Sequence, residues 1–81
     1  MADITPGLLK WRCRRGMKEL DLLLGGWLDR GWPLANADRR AAFLRLLEEP
    51  DPLLADWLLH GDRPLDPPTA TLLDDIVSRR L

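Results

Sequence analysis

Apolar side chains recur along this chain at helical spacing. The clearest stripe is Leu20, Leu23, Leu24, Trp27 and Leu28, at i, i+3, i+4, i+7 and i+8. It predicts a helix from about Met17 to Asp29, stopped by Gly31 and Pro33. Upstream, Thr5 as N-cap and Pro6 at the first helical position open a helix whose apolar positions are Leu8 and Trp11. Gly16, in a left-handed conformation, is expected to end it. A third helix runs from the Asn36 cap to Glu49, with Phe43, Leu44 and Leu47 inward. Asp38, Arg39, Arg45 and Glu48 face outward, and Pro50 ends the segment. Asp51-Pro52 repeats the cap-plus-proline start for a short helix with Leu54, Trp57 and Leu58 on one stripe and Gly61 as its stop. After the loop Asp62-Arg63-Pro64-Leu65, Asp66-Pro67 opens the last helix. Its apolar face is Leu72, Leu73, Ile76 and Val77, and its final turn sets Arg79 and Arg80 against the negative helix end. The predicted fold is all-α, a compact five-helix bundle forming a single domain over residues 1–81.

Composition supports this. No Val, Ile or Thr lies between Thr5 and Thr69, so strands have little to form from. A chain of 81 residues buries only about 60 % of its unfolded surface, and the nineteen leucines and four tryptophans supply the core it needs. The single cysteine, Cys13, excludes an internal disulfide and a cysteine-based zinc site, and reads as a small buried filler in a cytoplasmic protein. Residues 1–6 lack the basic start and apolar stretch of a signal peptide, and no apolar run approaches the roughly 20 residues of a membrane span. A soluble protein without membrane insertion is expected. The pair Gly25-Gly26 costs about 1 kcal/mol per residue inside a helix, so either another helix crosses closely there or the helix weakens.

Residues that could carry chemistry are few. His60 lies at a helix end, where helix capping accounts for it. Asp74-Asp75 and Glu48-Glu49 are adjacent on helices, point in different directions, and make poor acid/base pairs. No nucleophile triad, zinc motif or phosphate loop is present, so no enzyme is expected. Trp11, Trp27 and Trp57 lie on apolar stripes and read as core. Trp32, in the break Gly31-Trp32-Pro33, either covers the bundle end or stays open to a partner.

Charge adds a further feature. The net charge is −1, but residues 1–18 hold five bases against one acid, and the remainder seven bases against twelve acids. One basic patch on an acidic surface can orient a partner. The patch contains Arg14-Arg15-Gly16-Met17-Lys18-Glu19, with bases on both sides of a glycine and an acid three residues beyond it. Gly16 permits close approach of another backbone, Arg15 offers a planar fork, and Glu19 can accept first-turn N–H bonds or pair with Arg15.

Arg15, Gly16 and Glu19 fall on the three fixed positions of the RGxxE signature, and this segment resembles the small bacterial flavinylation factors of the SdhE/YgfY type. The likeness extends through the leucine-rich helix to Phe43-Leu44-Arg45-Leu46-Leu47-Glu48, Asp51-Pro52 and Asp56-Trp57-Leu58. It implies a five-helix bundle that binds the flavoprotein subunit of succinate dehydrogenase or fumarate reductase and promotes covalent attachment of FAD to a histidine of that subunit. It also implies that Arg14, Arg15, Gly16, Met17, Lys18 and Glu19 meet the partner. The FAD belongs to the client, so no tightly bound cofactor is expected, and no dinucleotide fingerprint is present. A monomer is expected. Two other readings stay open here: an antitoxin-like or other regulatory protein-binding module, and a nucleic-acid binder using residues 10–18. The second lacks the strongly basic balance of such domains, and no nucleic-acid partner is expected.

Overall fold

In a computed structural model of the chain, which describes residues 5–79, three of the five α-helices begin where a side-chain cap places them. Thr5 Oγ1 accepts the Leu8 N–H at 3.1 Å and opens α1 (Pro6–Arg12). Met17 precedes α2 (Lys18–Arg30) without a side-chain cap. A 3₁₀ turn over Trp32–Leu34 follows, and Asn36 Oδ1 accepts the Arg39 N–H at 2.8 Å to open α3 (Ala37–Leu46). The two Asp-Pro pairs behave differently. Asp66 caps α5 (Pro67–Ser78) by accepting the Thr69 N–H at 3.2 Å, whereas Asp51 is already the first residue of α4 (Asp51–Leu58) and Pro50 is the cap. No strand occurs among the described residues.

α2 is the central element. It packs against α4, α5 and the 3₁₀ turn, and α3 lies on α5, giving a globule with a radius of gyration of 11.6 Å. Leu20, Leu23, Leu24 and Trp27 of α2 are buried as the stripe predicted. Phe43, Leu46 and Leu47 join them, with Leu54 and Leu58 of α4 and Leu72, Leu73 and Ile76 of α5. Leu28, Leu44, Trp57 and Val77 are half-buried at the margin. Trp27 stacks on Phe43 with centroids 4.5 Å apart and donates its indole N–H to Asp75 at 2.7 Å. Trp32 covers this bundle end, edge-on to Trp27 at 6.3 Å, under the Arg40 guanidinium at 5.0 Å.

Several expectations need correction. α1 ends at Arg12, three residues earlier than a stop at Gly16 implies, and α3 ends at Leu46 rather than Glu49. The inward face of α1 is Leu9 and Cys13, not Leu8 and Trp11. Trp11 is 69 % exposed. The glycine pair neither breaks α2 nor admits another helix: a Cβ at Gly25 would meet nothing within 4 Å, and one at Gly26 would meet only the Arg30 side chain. Gly25→Ala is therefore expected to stabilise the fold by about 0.5–1 kcal/mol, raising the melting temperature by a few degrees in a thermal scan. Arg79 folds back onto Asp75 at 3.0 Å instead of the helix-end carbonyls, and Arg80 lies outside the described residues.

Asp75 ties three elements together. It accepts from Trp27, pairs with Arg79, and lies 3.8 Å from Arg39. Burial alone would raise its pKa. The hydrogen bonds from Trp27 and Arg79 and the charges of Arg79 and Arg39 outweigh that, holding the carboxyl below its ordinary value of 3.8. A depressed folded pKa contributes stability above the unfolded value that is lost as pH falls through the folded one. Asp75→Asn should thus lower the melting temperature at neutral pH, with the gap from wild type closing as pH drops below about 4.

Candidate partner-binding surface

Of the residues singled out in the sequence, Arg14, Arg15, Gly16 and Met17 sit on the linker between α1 and α2, and Lys18 and Glu19 open α2. Arg14 N–H bonds back to the Trp11 carbonyl at 3.0 Å, so the chain leaves α1 through a hydrogen-bonded turn. Gly16 has φ +84°, the left-handed region, where an L side chain is strained. Nothing lies within 4 Å of a Cβ built there, so the glycine faces open space. Arg14, Gly16, Met17, Lys18 and Glu19 are all exposed and form one continuous edge.

Arg15 is different. Its side chain is only 18 % exposed and turns into the corner between α3 and α4. There it donates to the Leu47 carbonyl, which caps the end of α3, and lies 3.5 Å from Asp51 at the start of α4. Its backbone N–H is accepted by Asp21 of α2 at 2.5 Å. Arg15 therefore fastens the linker to three helices, while Glu19 makes no ion pair or side-chain hydrogen bond among the described residues. The acid that reaches back to the linker is Asp21. A first-turn carboxylate was the available sequence signal for it, whereas nothing local marked Asp51, 36 positions away. Deleting the Arg15 side chain orphans the Leu47 carbonyl, a cost of about 1–3 kcal/mol. Its buried Nε lacks a partner in the intact protein, which offsets part of that. Arg15→Ala is expected to lower unfolding free energy by about 1 kcal/mol in urea titrations.

Beside this edge a groove of about 500 Å³ runs along α2, from Glu19 past Leu22 and Gly26 to Arg30, with Leu59 as its far wall. Glu19, Asp21 and Asp29 line it. Cys13 is buried beneath the linker and burial pushes its thiol up to about 11, against the opposing pull of Arg15. It is a protonated core residue at neutral pH. The His60 side chain is exposed and, among the described residues, hydrogen-bonds only to Asp56, at 3.2 Å. Among the described residues no cluster of three metal-ligating side chains occurs. No described helix is long and apolar enough to cross a membrane.

The molecule is thus a small helical bundle with an exposed polar edge at the junction of its first two helices, fastened from behind by the half-buried Arg15. Residues 8–80 match the family described as "Flavinator of succinate dehydrogenase", and the chain belongs to that family. It is 45 % identical over 51 residues to the FAD assembly factor SdhE of Coxiella burnetii, a match covering 63 % of this chain and 62 % of that protein. It is 38 % identical over 58 residues to the protein of that name from Pectobacterium atrosepticum, covering 72 % and 66 %. With the Yersinia pseudotuberculosis protein of that name it shares 35 % identity over 71 residues, covering 88 % and 81 %. The chain thus spans about two thirds or less of the first two relatives' length.

Proposed function

We propose that this protein is an assembly factor that binds the flavoprotein subunit of succinate dehydrogenase, or of fumarate reductase, and promotes covalent attachment of FAD to a histidine of that subunit. The observation that carries the proposal is the family match across residues 8–80, which includes the exposed Gly16–Glu19 edge. The relatives' names support it, and give no support to an antitoxin-like role.

In this reading the reactive histidine and the flavin both belong to the client, and the bond forms through the flavin's own electrophilic chemistry. The helper contributes position. By gripping the client it favours the arrangement in which histidine and flavin are within reacting distance. Gly16 lets a client backbone approach the linker, Arg14, Lys18 and Glu19 meet its polar groups, Met17 adds apolar contact, and Arg15 keeps the edge in place. The FAD is cargo of the client, not a resident cofactor of this chain. The α2 groove, lined by three carboxylates against the single cation of Arg30, is net negative and unfavourable to its diphosphate. The protein acts as a monomer and performs no catalytic step of its own.

Co-expression of the flavoprotein subunit with and without this protein tests the proposal. Acid-stable in-gel flavin fluorescence of the subunit should rise sharply when the protein is present. Equal covalent flavin in its absence, in a host lacking other assembly factors, would refute it.

A further inference from the structure

The exposed Trp11 is the least expected feature of the surface. Tryptophan is highly buried on average, and three of the four here contribute to the core or its margin. Trp11 instead leaves 69 % of its surface in solvent, on the side of α1 away from Leu9 and Cys13. Leu8, one turn earlier at i−3, is 45 % exposed and shares that side. The charged residues that flank the pair in sequence are all of one sign. Between Thr5 and Lys18 these are Lys10, Arg12, Arg14, Arg15 and Lys18, with no acid. Of these five, Arg15 alone forms an ion pair among the described residues. An exposed indole on a segment whose Lys10, Arg12, Arg14 and Lys18 form no ion pair among the described residues is a poor choice for a solvated face and a good anchor for association, where tryptophan and arginine are enriched among energetically dominant residues.

We propose that Trp11, with Leu8, is the apolar anchor of the client-binding surface, inserting into an apolar recess on the flavoprotein subunit that is bordered by carboxylates. The inference rests on the function proposed above and extends the docking face from the Gly16–Glu19 edge back along α1. Two observations commit the patch to that occupant. It runs directly into the signature edge, because the Trp11 carbonyl holds the Arg14 N–H at 3.0 Å. Its charge selects an acidic partner, with Lys10, Arg12, Arg14 and Lys18 steering encounter and the indole supplying lifetime once bound. A nucleic acid or an anionic lipid surface would use the same charges and the same indole, and is separated from the client by the direct binding comparison below.

The test measures binding of the full-length protein to purified flavoprotein subunit by surface biosensor at low and at physiological salt. Trp11→Ala should weaken binding by at least about tenfold, mainly through faster dissociation, with an unchanged melting temperature because the side chain packs on little. Trp11→Phe should recover part of that loss. Arg14→Glu with Lys10→Glu should slow association and flatten its salt dependence. A wild-type protein that binds the subunit, matched by a Trp11→Ala protein of equal affinity, would overturn this inference and leave the proposed function standing. Failure of the wild-type protein to bind at all would overturn both. Tight binding of the wild-type protein to RNA or to anionic phosphatidylglycerol vesicles at physiological salt, lost in Trp11→Ala while client binding persists, would reassign the patch.

Discussion

Gly16→Arg is expected to reduce covalent flavin on a co-expressed flavoprotein subunit to the background seen without this protein, while the helical circular dichroism spectrum is retained. Two consequences of the substitution have very different sizes. The fold must place an L residue at φ +84°, at a cost of about 1 kcal/mol and a melting temperature lower by several degrees. No neighbour is displaced, since a Cβ there meets nothing within 4 Å and the new side chain extends into solvent. That open space is where the proposed client backbone would lie, so a bulky cation blocks approach and adds to Arg14 and Lys18. Loss of function with a nearly intact fold separates a docking role from a structural one. A folded Gly16→Arg protein that still supports flavinylation would remove the linker from the interface.

The largest stability effect is expected at Trp27. Trp27→Ala removes a side chain 1 % exposed, its stack on Phe43 and the indole donor to Asp75, at a cost of about 3–5 kcal/mol. A domain of this size has about 4–12 kcal/mol in total, so the variant should melt lower by about 12 °C or more, or be partly unfolded at room temperature. Trp27→Phe keeps an aromatic ring against Phe43 and loses the hydrogen bond, and should fall between the two. Calorimetric melting of Trp27→Ala within a few degrees of wild type would mean that the core is not organised around this residue.

The two predictions rest on different kinds of legibility. Trp27 belongs to a stripe long enough to define its own inward face, so burial of α2 followed from spacing alone. α1 has only seven residues and offers two competing pairs, Leu8/Trp11 and Leu9/Cys13. Hydrophobicity favours the first pair, but the packing of α1 on the bundle buries the second. A short helix carries too few turns for its own periodicity to decide. The signature residues were legible as a group, and the positive φ of Gly16 is what a glycine between two helices suggested. The role of Arg15 was not legible, because its partners Leu47 and Asp51 are brought to it only by the turn between α3 and α4. The same contact explains the difference between the Asp-Pro pairs. Asp51 directs its carboxylate to Arg15, whereas Asp66 spends its own on capping α5. Trp32 is the converse case: the Gly-Trp-Pro break forecast an interruption, and the 3₁₀ turn beneath Arg40 settles it as a lid on the Trp27–Phe43 stack.

Reconstitution from purified components tests the central claim most directly. Flavoprotein subunit prepared without covalent flavin is mixed with FAD and with wild-type or Gly16→Arg protein, and covalent flavin is followed over time by fluorescence of the denatured subunit. The account predicts faster attachment with the wild-type protein, saturating near one molecule per subunit, and the unassisted rate with Gly16→Arg. An unassisted rate with wild-type protein that nevertheless forms a complex, or equal acceleration by both proteins, would contradict it.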